Sequence, residues 1–171
     1  MGQKTLPRIL FITFLALLSF ASATSVKATH YAAADLYLDY IGNGPTNLKY
    51  QITLVVYKAC VPNNASLVTS EPVTFSSSCG SLPSRNLPSV VGPDTMDQLC
   101  ANFAPVNACR LPGSVWPAFV RRIYRDTVTF PTACSDWTVA WSGCDRNYQI
   151  LNIETQTPVQ CIRIEAGINN V

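Results

Sequence analysis

The segment Asp136-Trp137-Thr138-Val139-Ala140-Trp141-Ser142 decides the fold. Trp137, Val139 and Trp141 are separated by smaller residues, and residues two apart lie on the same side of a β-strand. Tryptophan is among the largest apolar side chains, so two of them on one side of a strand favour burial of that side. We therefore predict that this segment is the central strand of the hydrophobic core.

The sequence on both sides of this strand predicts an all-β domain. Period-two alternation recurs, and no window shows a helical period longer than a turn or two. Roughly seven short strands separated by turn residues are typical of an antiparallel two-sheet β-sandwich of the immunoglobulin-like kind, here linked by disulfides. The segment 80–117 differs from the predicted strands, because its six prolines predict an irregular, proline-rich loop. The predicted strands are 31–41, 48–59, 68–76, 119–130 with a bulge or a break near Arg125, 136–142, 147–153 and 158–166.

The N-terminus has the pattern of a secretion signal. Basic residues precede the predominantly apolar run 9–20, and the small residues after it allow cleavage after Ala28 or after Ala23. A helix of that length covers about 18 Å, whereas the hydrocarbon core of a membrane is about 30 Å thick. We predict that residues 1–28 are a signal peptide, that 29–171 form a single domain, and that the mature chain is secreted without a membrane span.

Removal of the signal changes the charge of the chain. The full sequence has 12 basic and 10 acidic residues, and Lys4, Arg8 and Lys27 lie in the signal. The mature chain then keeps 9 basic and 10 acidic residues, a net charge of −1 rather than +2. A basic patch is the usual basis of binding to nucleic acids. We therefore expect no nucleic-acid partner.

The seven cysteines favour an oxidising compartment, in which thiols pair as structural disulfides. Ten residues of straight strand span about 33 Å, far more than the ~7 Å that a disulfide permits, so Cys134 and Cys144 should not pair with each other. Cys134 is the candidate unpaired thiol, and other arrangements stay open. The favoured pairs are Cys60–Cys79, Cys100–Cys109 and Cys144–Cys161.

The residue types that most catalytic and metal sites need are scarce. His30 is the sole histidine, and no two cysteines have the two-residue spacing that is typical of zinc sites. Nucleophilic catalysis by serine or cysteine needs a nearby base, usually histidine. Asp35 and Asp39 would lie ~13 Å apart along a strand, too far for the paired carboxylates of glycoside hydrolysis. We expect a non-enzymatic protein without a metal or cofactor.

One cluster of basic residues stands out in the chain. On a strand, Arg121 and Arg125 lie on one side, and Arg122 lies on the side of Tyr124. Solvated arginines that pair with Asp126 or its neighbours are the interpretation we favour. A site for an acidic glycan is the alternative. The candidate ligand-binding residues are Arg121, Arg122, Tyr124 and Arg125.

Several short motifs follow one another in a fixed order along the mature chain. The longest is 133–147, Ala-Cys-Ser-Asp-Trp-Thr-Val-Ala-Trp-Ser-Gly-Cys-Asp-Arg-Asn. It resembles Asp-Trp-Thr-Phe-Ser-Trp followed by Cys-Cys-Arg-Asn in the N-terminal domain of large secreted surface proteins from gliding bacteria of the Bacteroidota. Asp145 stands where the second cysteine of that pair would be, and Ala33-Ala34 replaces a Gly-Gly. The other matching motifs are Ala28–Tyr31, Tyr57–Cys60, Ser78–Gly80, Gln98–Cys100, Ala108–Gly113 and Val128–Pro131.

The resemblance implies an extracellular or cell-surface role in adhesion or display, without catalytic residues. Proteins of that family continue through repeated sandwich modules, whereas this chain ends at Val171. The resemblance implies the first domain of a larger adhesin, and a truncated gene, a fragment and a stand-alone module are the alternatives that stay open. We expect an exported, non-enzymatic structural or adhesive surface module that contacts extracellular glycans or other surface proteins. A secreted carbohydrate-binding module is the alternative.

Overall fold

The computed structural model of the protein describes residues 31–43, 47–60, 67–96, 100–111, 114–116, 118–144 and 161–171. The predicted signal peptide, His30 and the predicted strand 147–153 lie outside these ranges. Among the described residues, no helix is long and apolar enough to cross a membrane. The elements are β1 (Tyr31–Tyr40), β2 (Lys49–Ala59), β3 (Ser70–Ser76), β4 (Arg85–Met96), a 3-10 helix (Ala104–Val106), β5 (Phe119–Thr129), β6 (Trp137–Cys144) and β7 (Cys161–Ile168).

The strands lie side by side in the order β1-β2-β5-β4-β3-β6-β7, and each pairing is antiparallel. The two ends of this order, β1 and β7, contact each other, so the sheet is almost closed on itself. Because seven strands alternate in direction, β1 and β7 run the same way. The predicted all-β, antiparallel, disulfide-linked class is confirmed. The division into two sheets stays a prediction.

Strand β3 joins the two halves of this order because its two ends pair with different neighbours. Residues 70–73 pair with β4, and residues 74–76 pair with β6. A strand that changes partner along its length makes a corner between layers. This corner brings the chain that leaves β3 close to the chain that enters β6.

The prediction of an irregular loop across 80–117 is wrong for part of that segment, because the twelve residues of β4 lie inside it. Its prolines fall where regular pairing ends or shifts. Pro88 lies at the end of the pairing with β3, and Pro93 lies in a bulge between Val91 and Asp94, opposite β5. Gly92 in the same bulge has a φ of 97°, which favours glycine. A strand can therefore contain these prolines at the cost of an uneven register.

The hydrophobic core lies around the predicted tryptophan strand, which is β6. Trp137 and Val139 are 0% exposed, and Trp141 is 1% exposed. The Trp137 ring lies 5.0 Å from the Phe130 ring between centroids, and its indole N–H donates to the Thr132 carbonyl oxygen at 3.0 Å. The prediction that this strand is central to the core is confirmed. Further buried residues on the other strands are Tyr50, Ile52, Leu54, Val56, Val73, Leu87, Tyr124 and Val128.

A small polar cluster lies inside this apolar core. The Glu71 carboxylate accepts hydrogen bonds from Trp141 Nε1 at 3.1 Å and from the Tyr31 hydroxyl at 3.4 Å. Lys58 is 1% exposed, and its Nζ lies 4.6 Å from the centroid of the Tyr31 ring, within cation–π range. Polar groups are tolerated in a core when they are bonded in this way. The cluster therefore ties β1, β2, β3 and β6 together at one end of the sheet.

Tyr124 adds a buried phenol to the core. Its hydroxyl donates to the Val68 carbonyl oxygen at 2.8 Å. Burial raises the pKa of the Tyr124 phenol well above its usual value; the Glu71 carboxylate raises it further, and the Arg122 guanidinium lowers it. The folded protein therefore keeps this phenol protonated at a pH where an unfolded tyrosine ionises.

We expect the protein to lose stability as the pH rises above about 10, where unfolded tyrosines release their proton. Below that pH the contribution of Tyr124 is fully present, and above it each unit of pH costs at most about 1.4 kcal/mol. Urea unfolding between about pH 8 and 11 should therefore show a steeper loss in the wild type than in Tyr124→Phe. Both proteins should carry Cys100→Ser, which removes the free thiol that attacks disulfides at high pH. Equal slopes would contradict this role of Tyr124.

Candidate functional site

The four residues of the predicted basic site do not lie together. Arg121 and Arg125 lie on the side of β5 that faces away from the core, which we call the outer face of the sheet. Arg122 and Tyr124 lie on the other side, opposite buried residues of β2. Arg122 Nη1 donates to the Val68 carbonyl oxygen at 3.0 Å, and Tyr124 donates to the same oxygen. Arg122 and Tyr124 therefore hold the segment before β3, and the predicted cluster is divided between two faces.

Both outer arginines have partners on the sheet. Arg121 Nη2 lies 3.2 Å from Asp94 Oδ2, and Arg125 Nε donates to Thr53 Oγ1 at 3.2 Å. Asp126, which the sequence offered as a partner, pairs instead with Arg85, outside the predicted cluster, at 2.7 Å. This arrangement favours individually bonded arginines over a joint site for an acidic glycan.

The strand register places four residues in one row across the outer face. Ala33 lies opposite Tyr57, and Tyr57 lies opposite Arg121. On the other side of β5, Arg121 lies opposite Asp94 of β4. Directly opposite residues of antiparallel strands share a face, with Cβ atoms about 5 Å apart. We call Ala33, Tyr57, Arg121 and Asp94 the outer row.

A groove of about 420 Å³ opens beside the outer row. A β-bulge lies between Tyr31 and Ala33, where β1 has one residue more than β2. The extra residue allows both alanines of this segment to line the groove, although neighbouring residues of a regular strand point to opposite faces. We call this the outer groove, and its lining residues are Ala32, Ala33, Tyr57, Met96 and Phe119.

Tyr57 links the outer groove to the polar residues around it. Burial raises the pKa of the Tyr57 phenol, the Asp35 carboxylate that accepts its hydrogen bond raises it further, and Arg121 lowers it. The phenol thus interacts electrostatically with Asp35 and Arg121. Its ring is a wall of the groove.

The outer face has no excess of positive charge. Asp35 and Asp39 share it on β1, and Asp94 lies on β4. The basic residues on the same face are Lys49 on β2 and Arg121 and Arg125 on β5. The carboxylates of this face are therefore balanced by its basic side chains.

The structure also corrects the predicted disulfides. Cys134, predicted to be unpaired, is bonded to Cys79, and the free thiol is Cys100, which is exposed. The favoured pairs Cys60–Cys79 and Cys100–Cys109 are therefore wrong, whereas Cys144–Cys161 is present. The three bonds are Cys60–Cys109, Cys79–Cys134 and Cys144–Cys161.

Strand pairing explains the Cys79–Cys134 bond. Ser76 at the end of β3 lies opposite Thr138 at the start of β6, so the chain leaving one strand meets the chain entering the other. The Cα atoms of the two cysteines are 6.0 Å apart there, although 55 residues separate them in sequence. Predictions from neighbouring segments could not identify a contact between strands so distant in sequence.

Asp136 organises the chain around this disulfide. Its carboxylate accepts hydrogen bonds from the Ser78 backbone N–H, at 3.1 and 3.2 Å, and from the Ser77 hydroxyl at 3.1 Å. Hydrogen bonds from Ser78, and then from Ser77, lower the pKa of Asp136 below its usual value. Asp136 Oδ1 also lies 2.8 Å from Cys134 Sγ. A negative charge therefore sits beside the buried sulfur of the bond.

The same three residues have the spacing of a small metal site. One ligand atom from each of Cys79, Cys134 and Asp136 lies within 4.8 Å of the others. Metal-binding cysteines act as thiolates, and both sulfurs here are used in a disulfide. In the oxidised protein, Asp136 therefore acts on the disulfide and its loop.

We expect Asp136→Asn to speed reduction of the Cys79–Cys134 bond by dithiothreitol about threefold to tenfold. Cys134 is 1% exposed, so the reductant attacks Cys79, which is exposed, and Cys134 leaves as a thiolate. The Asp136 carboxylate disfavours that second negative charge. Timed reduction followed by alkylation and peptide mapping measures the rate. The exposed Cys144–Cys161 bond is the internal control, and an unchanged rate at Cys79–Cys134 would contradict the effect.

The sequence did not identify most residues of the outer groove. Tyr57 gave one signal, because it is an aromatic residue on the side of its strand opposite Ile52, Leu54 and Val56. Met96 gave none, since β4 was not predicted as a strand. The groove also depends on the bulge in β1, which the sequence pattern does not indicate.

The outer groove and the outer row together place an apolar surface beside a bonded donor and acceptor, Arg121 and Asp94. Apolar walls with a few placed polar groups are characteristic of sites that bind small ligands.

Comparison with protein-family models, with curated proteins and with solved structures finds no match to this chain.

Proposed function

We propose that this protein is an exported, non-enzymatic adhesive surface module. The observation that supports this most directly is the outer groove on an almost closed sheet that is linked by three disulfides. Disulfides form and persist in oxidising compartments. A covalently linked scaffold also holds a binding surface in place before its ligand arrives, which lowers the entropy cost of binding.

The immunoglobulin-like, two-sheet arrangement is part of this proposal. In that fold the strands are ordered A-B-E-D in one sheet and C-F-G in the other. The observed order, β1-β2-β5-β4 followed by β3-β6-β7, is the same if the strands are lettered along the chain. The pairing of residues 70–73 with β4 then connects the two sheets at one side.

Relationship to the surface proteins of gliding Bacteroidota also belongs to the proposal. Many cell-surface proteins use immunoglobulin-like domains. A module of this kind is suited to be the first domain of a larger adhesin, where it would meet extracellular glycans or other surface proteins. The tryptophan strand supports this relationship most, because the motif that carries the resemblance forms the centre of the core.

A secreted carbohydrate-binding module is the second candidate function. The aromatic rings of Tyr57 and Phe119 in the outer groove favour it, together with the hydrogen-bonding groups of Arg121 and Asp94 nearby. The two candidates differ in the variety of ligands that they bind. An adhesive module is expected to bind more than one kind of surface, whereas a carbohydrate-binding module is expected to bind one defined sugar.

Adhesion under flow tests the proposal. The protein should be produced by export into an oxidising compartment, so that its disulfides form, and then coupled to beads. We expect the beads to be retained on a surface coated with polysaccharide or with extracellular protein. Reduction and alkylation of the disulfides should abolish retention. Beads that are retained on no surface, or equally well after reduction, would contradict the adhesive function. Retention on a single sugar alone would favour the second candidate.

A further inference from the structure

Resting on the proposed function, we infer that the outer groove binds one uncharged pyranose unit of an extracellular glycan, stacked on Tyr57. Four features of the groove support this ligand: its shape, the chemistry of its walls, the groups at its rim and the charge of the face around it. Each is independent of the resemblance to known surface proteins.

The shape of the outer groove comes from the bulge in β1. Ala32 and Ala33 both line it, and neither side chain extends beyond Cβ. A larger residue at Ala33, which is exposed, would fill the space in front of Tyr57. The volume of about 420 Å³ lies in the range of sites that hold a small ligand unit.

The walls of the groove suit the apolar face of a sugar ring. Tyr57 and Phe119 contribute aromatic rings, and Met96 contributes a flexible, polarisable side chain. The negative face of an aromatic ring attracts the slightly positive C–H groups that one side of a pyranose presents.

The rim of the groove suits the hydroxyl groups at the edge of the same ring. Arg121 lies opposite Tyr57 and supplies donors, and Asp94 beside it supplies acceptors. A sugar hydroxyl both donates and accepts, so a pair of adjacent hydroxyls can bond to both members of this ion pair. An apolar peptide side chain would use the walls alone and form no hydrogen bond with these groups.

The charge of the outer face argues for a neutral sugar. Arg121 is paired with Asp94, and on the same face Lys49 and Arg125 balance the carboxylates of Asp35 and Asp39. The face therefore has no excess of positive charge to attract a carboxylated or sulfated glycan. An uncharged glycan needs no such attraction, so the observed charges suit it best.

An array of neutral and acidic oligosaccharides, followed by titration of the strongest binder, tests the inference on the exported chain. We expect binding to a neutral glycan, and Tyr57→Ala should weaken it about 30-fold, as for an aromatic residue at the centre of an interface. Tyr57→Phe keeps the ring and should weaken it less than about threefold. Ala33→Phe places a ring in the groove without removing a wall, so this variant should abolish binding. It provides a second test if Tyr57→Ala does not fold.

Tyr37→Ala is the matched control, because Tyr37 is a tyrosine on the same face that does not line the groove and is 52% exposed. It should change the affinity less than about twofold. Binding of acidic glycans alone, or of neutral glycans equally by Ala33→Phe and wild type, would overturn the inference and leave the adhesive function standing. Adhesion to protein-coated surfaces without any glycan binding would likewise overturn the inference and leave the adhesive function standing. A protein that binds no surface and no glycan would overturn both.

Discussion

Trp137→Ala should lower the free energy of unfolding by about 3–5 kcal/mol. Trp137 is 0% exposed and packs on Phe130, so its removal leaves a cavity that the disulfide-linked sheet cannot close completely. The change also removes the hydrogen bond to the Thr132 carbonyl oxygen. Domains of this size have a total stability of about 5–15 kcal/mol, so a large part of it depends on this one side chain. Urea unfolding at neutral pH measures the difference.

Trp116→Ala is the matched control for this prediction. Trp116 is 40% exposed and contacts Phe103, with ring centroids 4.8 Å apart. Its replacement should cost about 1 kcal/mol or less, because water already reaches much of the side chain. Similar losses in the two variants would show that β6 is not the central strand of the core.

Loss of the Cys79–Cys134 bond should have an effect of comparable size. The bond closes a loop of 55 residues, and the chain-entropy estimate for such a loop is roughly 4 kcal/mol. Alanine at both positions is the appropriate change, because serine at Cys134, which is 1% exposed, would bury a hydroxyl group. Urea unfolding of Cys79→Ala with Cys134→Ala gives the loss directly.

The Cys144–Cys161 bond provides the comparison. It spans 17 residues, for which the same estimate is roughly 3 kcal/mol, and both of its cysteines are exposed. We therefore expect Cys144→Ala with Cys161→Ala to be the less damaging double variant. A larger loss of stability from removing Cys144–Cys161 would show that the link between the end of β3 and the start of β6 is not the more important of the two.

The sequence was sufficient for the strands that have one buried and one polar side. Trp137, Val139 and Trp141 alternate with less apolar residues, and burial of one face is what a period-two pattern measures. The bulge or break predicted in 119–130 is absent from the pairing of β5 with β2, which runs without a shift from Phe119 to Thr129. The pattern changes there because Asp126 lies on the inner side and is bonded to Arg85.

Long-range contacts were beyond a sequence pattern. The Cys79–Cys134 and Cys60–Cys109 bonds depend on which strands become neighbours, and spacing along the chain does not encode this. Strand β4 was missed for a related reason. Its pairing with β3 and β5 tolerates Pro88 and Pro93 because they lie at an end and in a bulge, positions that only the partner strands define.

The candidate site was harder to predict than the fold. Arg121 was a candidate from the sequence, yet Tyr57, Met96 and Phe119, which line the outer groove, come from three strands far apart in the chain. The acidic partners of the arginines were equally hidden, because Asp94 meets Arg121 only through the register of β4 and β5. Arg121 and Arg125, predicted as part of a basic cluster, therefore lie on an electrically balanced face.

The most direct test of an exported, disulfide-linked module uses the protein recovered from the extracellular fluid of the organism that makes it. Peptide mapping by mass spectrometry without reduction should find an N-terminus at Thr29 or Thr24, the three bonds Cys60–Cys109, Cys79–Cys134 and Cys144–Cys161, and a free thiol at Cys100. A chain that stays inside the cell with all seven cysteines reduced would contradict both the export and the linked fold.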